Sequence, residues 1–130
     1  VAGEPACGAR SAFFAAREAF RLMKARTKPA IVNVASALDT EDAAKNPAFV
    51  AVQSGIVGMT RAFSRQLPKN FRVNCVQISE RGGEAPTAEN FEEMLFKKPA
   101  GVAPDDAARA VVYLLSSEAV GINGQCIVVA

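Results

Sequence analysis

Histidine is missing from this chain of 130 residues, and so is tryptophan. Without an imidazole, Ser-His-Asp and Cys-His catalysis are excluded, together with the commonest side-chain ligand of transition metals. Cysteine is scarce. Cys7, Cys75 and Cys126 lie too far apart for a zinc knuckle or a redox pair, and an odd number argues against a disulfide framework. Free buried thiols in a reducing cytoplasm are the simplest reading. Charge of one sign is missing too. Fifteen basic and 13 acidic residues leave +2, no Lys/Arg run exceeds two residues, and aromatics make up 7%, which argues against a basic stripe for nucleic acid. No apolar run approaches the ~20 residues of a membrane span. The sequence opens at Val1 without Met or a signal-peptide pattern, as a trimmed or partial chain would.

What is present is apolar: 50% of the residues, enough for one core in a single unit spanning 1–130. Ser11 to Lys28 carries Ala, Leu, Phe and Met at helical spacing, with Arg and Lys on the wet face, and Pro29 stops it. The preceding Gly3-Glu4-Pro5-Ala6-Cys7-Gly8 follows no strand and reads as a plain loop. Ala30 to Ala35 is a β-branched run typical of a strand buried on both faces. Leu38 to Pro47 is an irregular loop with a solvated acidic cluster, Asp39, Glu41 and Asp42. A helix over 48–66 follows, then a strand over 71–78. Ser79 to Ala103, rich in Gly and Pro, reads as a long loop with helical turns near Glu89 to Phe96, and such loops tend to be functional or mobile. Pro104-Asp105-Asp106 opens a last helix running to about Ser116. After the turn Gly121 to Gly124, Gln125 to Val129 closes as a third strand. Strands separated by single helices imply right-handed crossovers and a parallel sheet. Three such strands make about half of a doubly wound α/β domain, and the first has an apolar edge that a missing half or another chain should cover.

Several segments, in order, resemble the short-chain dehydrogenase/reductase family. Ile31-Val32-Asn33-Val34-Ala35-Ser36 resembles the strand ending in that family's catalytic serine. Thirteen residues later, Phe49-Val50-Ala51-Val52-Gln53 leads into Gly58-Met59-Thr60-Arg61, similar to the active-site helix that begins Tyr-x-x-x-Lys. Arg72-Val73-Asn74-Cys75-Val76, Pro104-Asp105-Asp106-Ala107-Ala108 and Asn123-Gly124-Gln125 to Val129 are similar to its Arg-Val-Asn-x-Val, Pro-Glu-Glu-x-Ala and Thr-Gly-Gln segments. The resemblance covers nearly the whole chain but only the C-terminal half of the family's domain. It implies a Rossmann-like α/β fold in the order α-β-α-β-α-β, with NAD(P) as the family's cofactor.

Departures from the family pattern fall on its chemistry. Phe49 and Gln53 occupy the tyrosine and lysine positions, Ser36 keeps the serine, and Gly8 falls near the catalytic asparagine. Losing a positioned general acid forfeits ~10²–10⁴-fold in rate. Ser36 then reads as a strand-end serine and Phe49 as a ring filling the tyrosine's volume. Gln53 carries no charge, although its amide could still hydrogen-bond a ribose. After the second strand, Ile78-Ser79 and Arg81-Gly82-Gly83 replace the segment that holds nicotinamide, and no Gly-rich pyrophosphate turn is present. Neither a confident cofactor-binding residue nor a metal ligand emerges. The expectation is a catalytically degenerate subunit, itself without cofactor. It would pair in a homo- or hetero-oligomer of family subunits through helices 11–28 and 48–66, where Gly55 and Gly58 invite close helix packing. Its intact partner would act on an alcohol/ketone pair, with a hydroxyacyl thioester as one substrate class. Two alternatives stand beside it: an active oxidoreductase using Ser36 and Gln53 as polar anchors, and a metabolite-binding module without chemistry.

Overall fold

Val73, Cys75, Val76 and Ile78 make up half of the segment Arg72–Ser79, which forms the middle strand of a three-stranded parallel sheet. The structure, a computed structural model, describes residues 3–37, 46–79 and 104–129. Its elements are α1 (Gly3–Met23), β1 (Ala30–Ala37), α2 (Pro47–Gln66), β2 (Arg72–Ser79), α3 (Pro104–Leu115), a 3-10 turn at Ser117–Ala119, and β3 (Cys126–Val129). The anticipated loop over 80–103 with its helical turns, the acidic cluster Asp39, Glu41 and Asp42, and the Cys7 side chain lie outside the described residues.

The sheet order is β1-β2-β3. Ala30 pairs with Arg72 and Ala37 with Ser79, while Cys75 pairs with Cys126 and Ile78 with Val129. Because side chains alternate along a strand, two cores form. On one face Ala35, Ile56 and Cys75 are buried together, with Val52, Met59 and Cys126 packed around them, beneath α1 and α2. On the other, Val76, Leu114 and Ala119 are buried with Val32, Ile78 and Ile127 beneath α3. Both faces are covered, so Arg72 through Val76 are all buried although Arg72 and Asn74 are polar. β1 lies at the sheet edge, and Val34 is half exposed there.

The placement of α2 and α3 corrects one expectation. The chain steps in the same direction from β1 to β2 and from β2 to β3, yet the two helices lie on opposite faces. The two crossovers are therefore of opposite hand, and only one is right-handed. The right-handed rule is a rule about a twisted strand feeding directly into its return helix. The second connection carries residues 80–103 before α3 begins, so it is not such a unit.

α1 also differs from its expected span of 11–28. Its helix already includes the Gly3–Gly8 stretch expected to be a loop. Proline is tolerated in a first turn, where its missing N–H would have no partner. Gly8 is useful where it sits, since a Cβ there would approach Val52 Cγ1 at 3.3 Å. The helix stops at Met23 rather than at Pro29, because Lys24 to Lys28 offers only exposed side chains to bury. Phe13 stacks on Phe63 of α2 (centroids 5.7 Å apart), and Phe20 covers Phe71 at the foot of β2 (5.4 Å). At α2, Asn46 caps the helix by accepting from the Phe49 N–H at 3.1 Å, and Pro47 opens it instead of closing the loop.

The buried polar residues among those described, Thr60, Arg72 and Asn74, are all hydrogen-bonded. The buried Arg72 guanidinium donates to the carbonyls of Leu114 (2.7 Å), Ala119 (2.9 Å) and Ser116 (3.0 Å). It thereby supplies partners that the C-terminus of α3 lacks within the helix. Asn74 donates to Ile122 O at 2.8 Å and accepts from the Gln125 N–H at 3.0 Å. Asn123 accepts from the Val73 N–H at 2.9 Å. These bonds lock the turn that returns the chain to the sheet as β3. Gly124 makes that turn at φ +74°, a conformation suited to glycine.

Candidate active site

Ser36 stands near the carboxyl end of β1, opposite Ile78. Its backbone N–H donates to Gln53 Oε1 at 2.9 Å. Gln53 reaches that point from the second turn of α2, half-buried between helix and strand. Phe49 is one helical turn earlier on the same face of α2, because residues four apart stack along a helix. Its ring is 39% exposed. The structure thus brings Ser36 and Gln53 into direct contact and places Phe49 beside them at the top of α2.

The chemistry of this trio is limited. A benzyl ring has no ionisable proton. The Gln53 amide is uncharged, and its oxygen already holds a backbone N–H. Gly8, the position expected for the family's asparagine, lies on α1 and offers no side chain toward a proton relay. Below the site, Asn33 donates to Thr60 Oγ1 at 2.9 Å, and Thr60 in turn donates to Ile56 O at 2.9 Å. This chain of bonds fastens β1 to α2 one layer beneath Ser36. Sequence reasoning did not find it, although an Asn in an apolar strand facing a Thr in an apolar helix stripe is the signal that marks it.

The two described thiols sit side by side across β2 and β3. Burial, reinforced by the neighbouring Cys126, pushes the Cys75 thiol up to about 12. Cys126 donates to Gln77 Oε1 at 3.1 Å. Cys75 is thus a core residue in its protonated form, far from the low-pKa state of a nucleophile. Among the described residues no cluster of three or more His, Cys, Asp or Glu side chains could hold a metal ion, and no helix is long and apolar enough to cross a membrane. A shallow hollow of about 610 Å³, lined by Asp105, Arg109, Val112, Tyr113, Ser116 and Glu118, lies on the outer side of α3. It shares no residue with the trio.

A parallel sheet wound with helices on both faces defines a Rossmann-like α/β domain, here with a serine near a strand's carboxyl end beside the next helix. Residues 6–130 match the family described as Enoyl-(Acyl carrier protein) reductase, and the chain belongs to this branch of the short-chain dehydrogenase/reductase family. It is 32% identical over 122 residues to (+)-borneol dehydrogenase 1 of Salvia officinalis, covering 86% of this chain and 47% of that protein. The aldohexose dehydrogenase of Thermoplasma acidophilum, solved ligand-free, superposes with a TM-score of 0.66 at 25% identity over 90% of this chain and 52% of its own. A short-chain dehydrogenase from Leptospira borgpetersenii, solved with bound NAD+, gives 0.63 at 25% identity over 89% of this chain and 49% of its own. The chain spans about half the length of the curated relatives it matches.

Proposed function

We propose that this chain is a non-catalytic subunit of a short-chain dehydrogenase assembly, its active-site helix kept as structure rather than as chemistry. The observation that carries this is the bond from the Ser36 N–H to Gln53 Oε1. Where the family pattern has a lysine, this chain has a side chain engaged as a strap between α2 and the end of β1. Where the pattern has a tyrosine, Phe49 has no hydroxyl. A nicotinamide cofactor, such as the one bound by the Leptospira relative, supplies and accepts hydride. Ser36, Phe49 and Gln53 do not fit a partner for that chemistry, offering neither a phenol to pass the proton nor an ammonium to stabilise its loss. No reaction step is therefore assigned to Ser36, Phe49 or Gln53.

Pairing is supported by the outer surface of the two helices. Gly55 and Gly58 on α2 have nothing within 4 Å of where a Cβ would stand, and Phe13 and Phe14 on α1 are 43% and 41% exposed. A helix pair from a tyrosine-bearing relative fits that surface, since small residues allow close backbone approach. The relative would then carry the alcohol/ketone chemistry, with a hydroxyacyl thioester among its substrate classes.

The test is cofactor binding and turnover by the purified chain. Nicotinamide fluorescence should not change on mixing, and no alcohol should reduce NAD(P)+. Saturable NAD(P)H binding by the isolated protein, with product formed, would defeat the proposal. The double change Phe49→Tyr with Gln53→Lys should also fail to create activity in the isolated chain.

A further inference from the structure

Positive charge gathers at one end of the fold. α1 and α2 run parallel: α1 leads into Ala30 and α2 into Arg72, which are neighbours at the foot of the sheet. Their C-terminal ends therefore emerge on the same side. Lys24, Arg26 and Lys28 follow α1; Arg61 and Arg65 lie four residues apart on the last turns of α2; Lys69 follows α2. All six are exposed, and among the described residues none has a carboxylate partner. Between Gly8 and Gln66, the one described acid on these helices, Glu18, is already engaged by Arg17 and Arg21. The other described acids, Asp105, Asp106 and Glu118, belong to α3 and its following turn, on the opposite face of the sheet.

Favourable interaction with helix dipoles accounts for cations within a last turn, such as Arg65. It does not account for Lys24, Arg26, Lys28 and Lys69, which lie beyond the helix ends. An overall charge of only +2 makes this concentration a matter of placement rather than of composition. Leu22, 71% exposed, stands in the last turn of α1 where this patch begins.

We infer that the foot of the sheet, at the joined ends of α1 and α2, is a docking surface for an acidic protein segment carrying an apolar anchor. Charge complementarity selects the acidic partner and speeds its encounter. Leu22 gives an apolar contact within a cationic rim, the arrangement that lets an amphipathic acidic helix seat. A nucleic-acid backbone makes no use of a protruding leucine, and the patch presents no exposed ring for base stacking. A single leucine buries too little to hold a lipid surface. The surface lies at the opposite end of β1 and β2 from Ser36, so this docking is independent of whether the chain transfers hydride.

The experiment is fluorescence anisotropy of the purified protein with a labelled Glu-rich amphipathic helical peptide. Single-stranded DNA and phosphatidylglycerol-containing vesicles serve as competing probes. The peptide should bind, and salt should weaken it steeply. Lys24→Glu with Arg65→Glu should weaken it about tenfold or more, and Leu22→Ser should weaken it without changing the salt dependence. Arg109→Glu, on the other face of the sheet, should leave it unchanged. Absence of peptide binding, binding indifferent to the charge reversals, or tighter binding to DNA or vesicles than to peptide would overturn the inference. Circular dichroism confirms that the variants remain folded, as expected for exposed sites.

Discussion

Removing the acceptor at Gln53 should loosen the fold at a point where an active enzyme would lose only chemistry. Gln53→Met keeps the length and most of the volume of the side chain but leaves the Ser36 N–H without its 2.9 Å partner. A neutral hydrogen bond contributes about 0.5–1.5 kcal/mol net, and a buried donor left unmet costs about 1–3 kcal/mol. Both residues are half-buried, so water can replace part of the loss. The expected destabilisation is about 1–2 kcal/mol, or roughly 5 °C in Tm for a chain of this size. Gln53→Lys should cost at least as much, because it sets an ammonium donor against an N–H donor. Gln53→Glu keeps an acceptor and should remain close to the parent. Urea denaturation with an unchanged m-value reads the energy, and amide hydrogen exchange at Ser36 locates it. Should Gln53→Met unfold at the parent's midpoint with Ser36 exchanging at the parent's rate, the strap is not structural and the argument for a repurposed site fails.

Further outcomes follow from the core and from the final turn. Arg72→Met removes a charged donor from three helix-end carbonyls and should cost about 3 kcal/mol; thermal melts should show Arg72→Lys recovering only part of it. Cys75 should resist thiol reagents in the native state while Cys126 reacts first. Because Cys75 keeps its proton when folded up to about 12, whereas the unfolded thiol loses it near the ordinary value of 9.0, the unfolded state binds fewer protons between those values. The Cys75 contribution to stability is thus complete below ~9 and declines as pH rises beyond it; Cys75→Val should flatten that decline in denaturant titrations at successive pH values. Gly124→Ala forces an L side chain to φ +74° and drives its Cβ into Ser64 Oγ. A loss of about 1–3 kcal/mol is expected, with Ser64→Ala restoring part of it in a double-mutant cycle.

The sheet was legible from β-branched runs between turn signals, and each strand fell within two residues of its expected bounds. Periodicity also located α2 and α3 closely. The start of α1 was not legible, since two glycines and a proline outweigh helical propensity locally. Gly8 leaves room for Val52 of α2, a tertiary requirement that local propensity does not carry. The hand of the second crossover was hidden for a similar reason: strand and helix order are properties of sequence, but the face to which a long connection delivers its helix is not. At the candidate site, the identities of Phe49 and Gln53 spoke of missing chemistry, whereas the bond to Ser36 could not be read. A glutamine looks the same in a string of letters whether it faces a ribose or a backbone amide. Arg72 and Asn74, charged and polar letters inside an apolar strand, were the visible trace of the bonds that fix α3 and the final turn.

The middle strand is sealed from Phe71 through Val76 and opens only at Gln77. Its foundation and its working end are therefore different places on one rod. Amide protons near the base should be among the last to exchange, while the upper rim can be rewritten without shaking what lies beneath. A lineage could erase a tyrosine and a lysine from that rim and still inherit a sound building.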